Sequence, residues 1–404
     1  MVENESLINI HISSTKLINM ENRKIRVAIT HGDTNGIGYE LIFKTFEDPT
    51  MLELCTPIVY GSPKVAAYHR KALDTQVNFT IISHADEAHE GRLNLLPVFD
   101  EEVKVDLGVA AEESANAGLR AIDRALEDFR EGCFDVLVNA PLDNNDVFHF
   151  SGQSRYVEDH LDMSGKGLSV LLSERLRVAL ATRNLPIRQV AESITKEMIK
   201  EKVRTLSESL RRDFRISSPR VAVLALNPKA GDNGLLGTEE QDVIAPAIAE
   251  LAEERVEAFG PYAADSFFGD GSYAVFDGIL AMYFDQALAP FHALTSEAGV
   301  LYTAGLSLVR TAPDMGVSMD IAGKGVADAA PMRQAIYDAI DIFRNRVNYD
   351  EPLANPLKKL YKEKRDESEK VRFAVPKPRF GAPKGNKGDK PSATDAAPTA
   401  AEEA

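Results

Sequence analysis

The sequence predicts an α/β protein whose mainly parallel sheet carries helices on both faces. Short apolar runs typical of buried strands alternate along the chain with amphipathic stretches typical of helices. Such an alternation indicates consecutive βαβ units. The 404 residues include 44% hydrophobic and 27% charged side chains, so the chain can bury a large core and is neither fibrous nor wholly disordered.

The N-terminal part of this pattern is the clearest. Residues 24–30 (KIRVAIT) are a β-rich apolar run, and a glycine-bearing loop and a helical stretch follow it. Pro63 suits the first turn of a helix that begins after the next strand. Between residues 114 and 130 the apolar residues recur at helical spacing and form one face. The predicted strands are 24–30, 57–61, 77–83, 134–139, 169–172, 178–182, 221–227 and 278–283, and the main predicted helices are 39–46, 114–130, 196–214, 239–254 and 329–346.

Charge and composition exclude several classes of function. The net charge of −16 disfavours nonspecific binding to nucleic acid or to anionic membranes. No run of about 18 uncharged apolar residues is present, so we predict no transmembrane helix. The two cysteines, Cys55 and Cys133, cannot form a disulfide framework, and the N-terminus lacks the basic start and apolar core of a signal peptide. These observations predict a cytoplasmic protein.

The two ends of the chain differ from its body in composition. Residues 363–404 are rich in Lys, Pro, Gly and Ala, and we predict a disordered tail there. Residues 358–390 contain 12 basic and five acidic side chains, which fits a solubilising tail or an arm that docks on an acidic partner. Residues 1–23 are predicted to be a flexible extension, and Met20 is a candidate for the true start.

Two loops and one arginine could carry chemistry, and each has a structural alternative. The loop 32–38 could bring backbone N–H groups to an anion at a helix N-terminus, or it is a tight turn. Lys229 lies in a loop after a strand, where it could meet a phosphate or carboxylate or simply lie on the surface. Arg310 could hold a phosphate with two hydrogen bonds or form a surface salt bridge. The eight histidines show no metal-ligand spacing.

Seven segments carry a resemblance to a known family. They are, in chain order, ITHGDTNGIGYEL, VYGSPKV, FSGQSRYVED, RVALATRNLPIRQV, VAVLALNPKAGDNGLLGTEEQD, ILAMYFDQAL and DIAGKGVADA. Taken together they resemble the 4-hydroxythreonine-4-phosphate dehydrogenase family of vitamin B6 biosynthesis. The resemblance extends over residues 24 to 346, roughly.

The resemblance implies a two-domain α/β/α fold, like that of isocitrate and isopropylmalate dehydrogenases, with a cleft between the domains and assembly as a homodimer. Domain 1 is then discontinuous, residues 24–138 plus 304–350, and domain 2, on the dimerisation and substrate side, is residues 139–303. The family oxidises the hydroxyl of 4-phosphooxy-threonine with a nicotinamide cofactor, NAD or NADP. The resulting β-keto acid loses CO2 and gives 3-amino-2-oxopropyl phosphate.

The family holds a divalent metal with three histidines, and all three positions differ in this chain. The first histidine, in a Thr-Thr-His-Leu-Pro pattern, corresponds to Asn184. The second, in Asn-Pro-His-Ala-Gly, corresponds to Lys229, and the third, in Tyr-His-Asp-Gln, corresponds to Phe284. Because lysine repels a cation and phenylalanine has no lone pair, no metal site is predicted at these positions.

The family's substrate-binding positions are changed in part. Its Gly-His-Thr motif reads Gly-Gln153-Ser154 here, so Gln153 and Ser154 are the corresponding residues. Its substrate lysine corresponds to His292 and its substrate asparagine to Leu301. Its phosphate-binding arginine is kept as Arg310, which is therefore the strongest substrate-binding candidate.

The cofactor candidates follow from the same resemblance, whereas the catalytic residues are left open with three candidates. The segment 314–328 is similar to the nucleotide-facing loop of β-decarboxylating dehydrogenases. The candidate cofactor-binding residues in it are Asp320, Gly323 and Gly325. The candidate catalytic residues are Lys229, Asp285 and His292.

Three functions stay open on the sequence. The chain could be the family's dehydrogenase, or a non-catalytic relative that binds a phosphorylated metabolite or nucleotide or regulates a partner. It could also perform metal-free chemistry on another substrate, with Lys229 supplying the positive charge that a metal supplies elsewhere. The partner expected from the resemblance is a small phosphorylated metabolite.

Overall fold

The computed structural model describes residues 23–99, 102–142, 152–295 and 299–354, which belong to one compact α/β unit. The predicted N-terminal extension apart from Arg23, the candidate start Met20 and the predicted tail 363–404 lie outside the described residues. No helix in the described ranges is both long enough and apolar enough to cross a membrane.

Twelve strands form a single sheet. Their order across the sheet is β3-β4-β2-β1-β5-β12-β11-β6-β7-β10-β8-β9. The strands are β1 Ile25–Thr30, β2 Cys55–Gly61, β3 Phe79–Ile81, β4 Leu93–Pro97, β5 Val136–Asn139, β6 Leu168–Leu172, β7 Arg177–Leu180, β8 Val221–Leu224, β9 Ala258–Tyr262, β10 Gly278–Ala281, β11 Val300–Ala304 and β12 Val309–Pro313.

The sheet is parallel in its two outer parts and antiparallel at its centre. The pairs β12–β11, β11–β6 and β6–β7 are antiparallel, and the remaining pairs are parallel. Strands β7, β10 and β8 therefore run opposite to β12, and their carboxyl ends lie at the edge of the sheet where β12 begins. This reversal places the start of β12 and the loops after β7, β10 and β8 on the same side of the molecule.

Eleven α-helices flank the sheet in the described ranges. The predicted helix 239–254 forms as a wide π-type turn at Glu240–Ile244 that continues into an α-helix. The helices are α1 Gly38–Phe46, α2 Thr50–Leu54, α3 Pro63–Ala72, α4 Glu112–Glu131, α5 Gln153–His160, α6 Ile187–Ser193, α7 Lys196–Arg212, α8 Ala245–Glu253, α9 Ala264–Gly269, α10 Phe284–Leu294 and α11 Ala330–Ala354.

Both faces of the sheet are buried, as the long apolar strands predict. Val27 and Ile29 of β1 belong to one large core cluster, whereas Ala28 belongs to a cluster on the other face. The first cluster continues along the whole sheet, but the opposite face carries two separate clusters, one around β1 and β5 and one around β8 and β10. The α/β class with helices on both faces is thus confirmed, and the division into domains 24–138 plus 304–350 and 139–303 stays a prediction.

The loop 32–38 after β1 is a buried turn. The N–H of Asp33 donates to the carbonyl of Pro141, and the N–H of Ile37 donates to the carbonyl of Val317. A Cβ on Gly38 would lie 1.9 Å from the carbonyl oxygen of His31, so only glycine fits there. The N–H groups of Asp33, Asn35, Gly36 and Ile37 are thus used within the protein, which agrees with the tight turn.

Candidate substrate-binding site

The three positions that correspond to the family's metal ligands follow three neighbouring strands. Asn184 comes after β7, Phe284 after β10 and Lys229 after β8, and these strands are adjacent and parallel. Because the carboxyl ends of adjacent parallel strands meet at one edge, the fold brings the three positions to the same edge of the sheet. All three side chains are exposed, and Phe284 keeps 45% of its surface accessible.

Polar side chains tie these strand ends together. The hydroxyl of Thr182 donates to the carbonyl of Met282 at 2.7 Å and so joins the end of β7 to that of β10. The amide of Gln286 accepts from the N–H of Met282 and donates to the carbonyl of Ala225, both at 2.7 Å, and so joins β10 to β8. These hydrogen bonds connect the ends of the three strands directly.

Lys229 lies in a turn with left-handed backbone. Residues 229–233 all have positive φ, between 45° and 79°, although only Gly231 among them is glycine. A left-handed conformation costs a non-glycine residue roughly 1–2 kcal/mol, so the surrounding structure must hold the turn in place. Within the described ranges, Nζ of Lys229 forms no hydrogen bond or ion pair, and the side chain is exposed to solvent.

The turn is held by buried acceptors beneath it. Glu240 is 3% exposed, and its carboxylate accepts from the backbone N–H of Asn227 at 2.7 Å and from the Asn227 side-chain amide at 3.0 Å. The same amide donates to Glu239 at 2.7 Å. A Cβ on Gly231 would lie 2.7 Å from Glu240 Oε2, so the chain can pass this carboxylate only as glycine.

Arg310 is a buried cation with neutral partners. Arg310 belongs to β12, and its side chain is 1% exposed. Nε donates to Asn139 Oδ1 at 2.6 Å, Nη1 donates to Ser154 Oγ at 2.9 Å, and Nη2 donates to Gln153 Oε1 at 2.9 Å. A weaker contact of 3.4 Å joins Nη1 to Thr303 Oγ1. Burial, together with repulsion by Arg183, lowers the pKa of Arg310 to about 9.

The charge of Arg310 is attracted by the nearby Glu158, but no carboxylate is hydrogen-bonded to it, and this points to an anionic ligand. Buried charges in proteins are normally paired, because removal of an ion from water is costly without a counter-charge. No carboxylate within the described ranges hydrogen-bonds to this guanidinium. A phosphate oxygen is the acceptor that a guanidinium binds with greatest geometric specificity.

Helix α5 connects Arg310 to a second arginine. Ser154, at the start of α5, contacts Arg310, and Glu158, one helical turn later on the same face, forms an ion pair with Arg183. Glu158 is 1% exposed, and its Oε2 has no hydrogen-bond partner among the described residues. Arg183 immediately precedes Asn184, so a fixed positive charge lies beside the position of the first family metal ligand.

The residues at the strand ends do not fit a divalent metal. An exposed asparagine amide, an ammonium and a phenyl ring offer one neutral oxygen in place of three imidazole nitrogens. Within the described ranges, one group of acidic and thiol side chains is close enough to share an ion, namely Asp128, Glu131 and Cys133 at the end of α4. Asp128 there already accepts from the Tyr60 hydroxyl and from Arg124, so this cluster is accounted for by the fold.

His292 and Asp285 lie apart from Arg310's hydrogen-bond partners. His292 is near the end of α10, where its Nε2 lies 2.8 Å from Asp314 Oδ2. Asp285 is an exposed residue in the first turn of α10, directly after Phe284. Leu301 is in β11 and packs against the core cluster around β8 and β10. Of the family's substrate positions, the structure therefore joins Gln153 and Ser154 to Arg310 by direct hydrogen bonds.

The candidate nucleotide loop is fastened to helix α1. Nζ of Lys44 donates to the carbonyls of Gly325 and Ala327 at 2.8 and 2.7 Å, and Glu40 accepts from the N–H of Ala327 at 2.8 Å. Asp320 is exposed, and Gly323 and Gly325 both have positive φ. A Cβ on Gly323 would meet Leu107, whereas Gly325 faces open space that a ligand could approach.

Several residues of the site carry no signal in the sequence pattern. Asn139 and Thr303 are strand residues whose contacts with Arg310 come from sheet order. Glu158 and Gln286 are helix residues whose partners lie 25 and 61 positions away. Arg183 is the one member of this network that the sequence could have indicated, because it is a charged residue in the family segment that carries the first metal position.

These features define a class: an α/β protein with three polar strand ends at one edge of the sheet, a buried arginine without a hydrogen-bonded carboxylate, and a glycine-bearing loop fastened to helix α1. Comparison with known proteins narrows the class. Residues 53–339 match the family model described as "Pyridoxal phosphate biosynthetic protein PdxA". The chain belongs to this family.

Named relatives agree with this assignment. A 4-hydroxythreonine-4-phosphate dehydrogenase of Bacteroides thetaiotaomicron is 54% identical over 88% of this chain and 98% of its own length. An enzyme of the same name from a Sulfurihydrogenibium species is 32% identical over 80% of this chain and 99% of its own length. The crystal structure of the Klebsiella pneumoniae 4-hydroxythreonine-4-phosphate dehydrogenase is similar at a TM-score of 0.69 and 28% identity, covering 80% of this chain and 99% of that one.

Proposed function

We propose that the chain is an NAD- or NADP-dependent oxidoreductase that acts on a small phosphorylated hydroxy acid of the class named in its relatives, 4-hydroxythreonine-4-phosphate. The observation that carries the proposal is the buried Arg310 with neutral partners only. Oxidation of the hydroxyl sends a hydride from carbon to the nicotinamide ring and releases the hydroxyl proton. Membership of a pyridoxal phosphate biosynthetic family supports a role in vitamin B6 synthesis.

Arg310 holds the phosphate in this proposal, and its neighbours orient it. Three side chains, Asn139 at the end of β5 and Gln153 and Ser154 at the start of α5, fix the plane of the guanidinium. Such preorganisation lets the phosphate bind without an entropy cost for the arginine side chain. The loop 314–328, held by Lys44 and Glu40, is the proposed contact for the nicotinamide cofactor.

The homodimer, the cytoplasmic location and the two-domain division with a cleft belong to the same proposal. The family resemblance supports the dimer and the cleft, and the two separate core clusters on one face of the sheet support the division. The absence of a membrane-crossing helix from the described ranges is compatible with the location.

Replacement of Gln153 by Glu tests the phosphate anchor. The new carboxylate replaces the amide oxygen that accepts from Arg310 Nη2 at 2.9 Å, so it supplies the missing counter-charge. We expect Gln153→Glu to weaken binding of the phosphorylated substrate by about tenfold or more and to change the free energy of unfolding little, because the new charge pair is offset by loss of the hydrogen bond that Gln153 Nε2 donates to the Ala140 carbonyl at 3.0 Å. An exposed control, Arg92→Met, is expected to change neither quantity. A Gln153→Glu variant that binds phosphate ligands as tightly as the unchanged chain contradicts the anchor.

Catalysis is tested separately from binding. NADH or NADPH formation from 4-phosphooxy-threonine is measured with the full chain, with EDTA and with added Mg²⁺ or Zn²⁺, beside a relative that retains the three histidines. Turnover that is insensitive to EDTA supports an oxidoreductase that works without the family metal.

A second candidate function is a non-catalytic protein that binds a phosphorylated metabolite or nucleotide. The replacement of all three metal positions, above all by the partly exposed Phe284, favours it. Tight, Arg310-dependent binding of a phosphorylated ligand without turnover of any nicotinamide cofactor supports this candidate over the first.

A further inference from the structure

We propose that the carboxylate of Glu158 is an internal counter-anion of the phosphate site, which attracts the same guanidinium groups as the ligand's phosphate and so limits the affinity of the site. The proposal rests on the proposed function, because it requires Arg310 to be the phosphate anchor. Glu158 acts through Arg310 and Arg183, which makes it a positioning residue. Its effect is to keep binding of the phosphorylated ligand reversible.

The carboxylate of Glu158 is fixed against the backbone at the start of β6. Its side chain is 1% exposed and forms an ion pair with Arg183. A Cβ on Gly167, the residue before β6, would lie 2.3 Å from Glu158 Oε1, so glycine leaves the room that the carboxylate occupies. Arg183 Nη2 also donates to the carbonyl of Gly167 at 3.3 Å. Both members of the ion pair therefore lie at this glycine.

The sheet register brings the ion pair close to Arg310. Leu168, the residue after Gly167, is opposite Ala304 of β11. The residue before Ala304 is Thr303, whose Oγ1 lies 3.4 Å from Arg310 Nη1. Neighbouring strands are about 4.8 Å apart. The ion pair and the Arg310 guanidinium thus contact neighbouring positions of two adjacent strands.

The charges of these groups act on one another. Burial has the largest effect on the pKa of Arg310 and lowers it, repulsion by Arg183 lowers it further, and attraction by Glu158 raises it. Glu158 therefore stabilises the charged form of Arg310 without a hydrogen bond to it. A phosphate on the same guanidinium has the same effect, and the two anions repel each other when both are present.

Lys202 adds a third positive charge beside the ion pair. Its Nζ donates to the carbonyls of Gly165 and Gly167 at 2.8 and 3.4 Å, and the second carbonyl also accepts from Arg183. The two arginines and the lysine carry three positive charges and Glu158 one negative charge, which leaves a net charge of +2. A phosphate monoester carries a charge of about −1.5 to −2 at pH 7. Glu158 thus lowers the positive charge of the site to a value that balances one phosphate.

The ion pair itself is not arranged for maximum stability. Oε2 of Glu158 and Nη1 of Arg183 are buried, and neither has a hydrogen-bond partner among the described residues. Strong arginine–carboxylate pairs are frequently bidentate and use both atoms, and an unpaired buried polar atom costs free energy. The pair is explained better by the effect of its charge on a ligand than by a gain in stability.

Replacement of Glu158 by glutamine tests the counter-anion. Glutamine retains the shape of the side chain and an oxygen that can accept from Arg183, but it removes the negative charge. We expect Glu158→Gln to bind 4-phosphooxy-threonine about tenfold tighter than the unchanged chain, because one repulsion is removed. Dissociation constants are measured by calorimetry with the full chain and without nicotinamide cofactor. A purely structural ion pair predicts the opposite result, weaker binding, because its loss loosens the site.

The matched control makes the same change of charge elsewhere. Glu53→Gln removes an exposed carboxylate from α2 and should bind the ligand as the unchanged chain does. Tighter binding in this variant as well would assign the effect to the overall charge of the protein and overturn the role of Glu158.

Variants of Arg183 test the charge balance in the opposite direction. Arg183→Met removes one positive charge and leaves the buried carboxylate of Glu158 without its partner, so we expect binding about tenfold weaker. Addition of Glu158→Gln to this variant should restore the affinity to within about threefold of the unchanged chain, because the net charge is then the same as before. The double variant leaves neither charge of the pair alone, so it remains measurable if Glu158→Gln is too unstable.

The outcomes separate this proposal from the proposed function. Weaker or unchanged binding in Glu158→Gln, with binding lost in Arg310→Met, overturns the counter-anion and keeps the phosphate anchor. A double variant that binds no better than Arg183→Met also overturns the counter-anion. Absence of binding by the unchanged chain, or binding that survives Arg310→Met, overturns both proposals.

Discussion

Single residues decide the charge balance of this protein. Arg310 is a buried cation without a carboxylate partner, and His31 is a fully buried imidazole stacked on Tyr39 at 5.1 Å between ring centroids. Burial favours the uncharged form of a histidine, and it lowers the pKa of His31 to about 3. A change of charge at either side chain is therefore expected to change the stability of the folded protein.

His31 predicts a loss of stability in acid. As the pH falls below 6.5, the unfolded chain binds a proton at His31 whereas the folded chain does not until about pH 3, so unfolding becomes easier. The contribution is at most about 1.4 kcal/mol per pH unit within that window. Denaturant unfolding at pH 7 and pH 4 should show a smaller loss for His31→Phe than for the unchanged chain. The exposed His89→Gln variant is the control, and equal losses in all three chains contradict the prediction.

At the scale of the element, short polar contacts hold loops that the sequence leaves undefined. Helix α1 presents Glu40 and Lys44 one turn apart, and together they fix the backbone of residues 325–327. Glu240 similarly accepts from the backbone N–H of Asn227, two residues before the turn at residues 229–233. In both places one regular element determines the conformation of a loop that bears candidate binding residues.

Lys44→Met should release the candidate nucleotide loop. The variant removes two charged hydrogen bonds and the ion pair with Glu40, and because Lys44 is 30% exposed we expect a loss of about 1–2 kcal/mol. Hydrogen exchange should rise at the Ala327 amide, and the KM for the nicotinamide cofactor should rise while kcat for bound substrate changes little. Lys64→Met, at the exposed start of α3, is the control. Unchanged protection at Ala327 would show that the loop is held by other contacts.

The sequence predicts helices and strands well where apolar residues recur at regular spacing. It predicts them poorly where contacts between distant parts of the chain determine where an element forms or ends. Strand β9 contains Gly260 and Pro261, which argue against a strand, yet it forms at the edge of the sheet, where a missing N–H is tolerated. The strands predicted at 178–182 and 221–227 end two and three residues earlier, because the chain leaves the sheet to form the site loops. The common edge of Asn184, Lys229 and Phe284 follows from strand order, whereas the Glu158–Arg183 pair depends on packing that no local pattern encodes.

At the scale of the whole molecule, one buried network joins the last helix to the sheet. Arg346 of α11 donates to Asp213 at 2.6 Å, to the Tyr302 hydroxyl at 2.7 Å and to the carbonyl of Leu306 at 3.0 Å. Asp213 also accepts from Tyr302 and from Ser209 at 2.5 Å. The attraction of Asp213 raises the pKa of Arg346 in spite of its burial, so the pair remains charged.

Breaking this pair should destabilise the protein more than replacing both partners. Arg346→Met leaves the buried carboxylate of Asp213 without its counter-charge, and we expect a loss of about 3–5 kcal/mol. The double variant Arg346→Met, Asp213→Asn should lose less than the sum of the two single variants, because neither charge is left alone. Urea unfolding of the four chains measures the coupling. Additive losses contradict a mutually dependent pair.

The place of β12 in the sheet has a consequence for how the protein is made. Strand β12 is the one link between β5 and β11, yet residues 309–313 are the last strand of the described chain to be synthesised. Before they leave the ribosome, the five strands from β3 to β5 and the six from β11 to β9 can pair only within their own groups. The nascent chain therefore carries two half-sheets with unpaired edges, and insertion of this late central strand joins them and buries Arg310 in the same step.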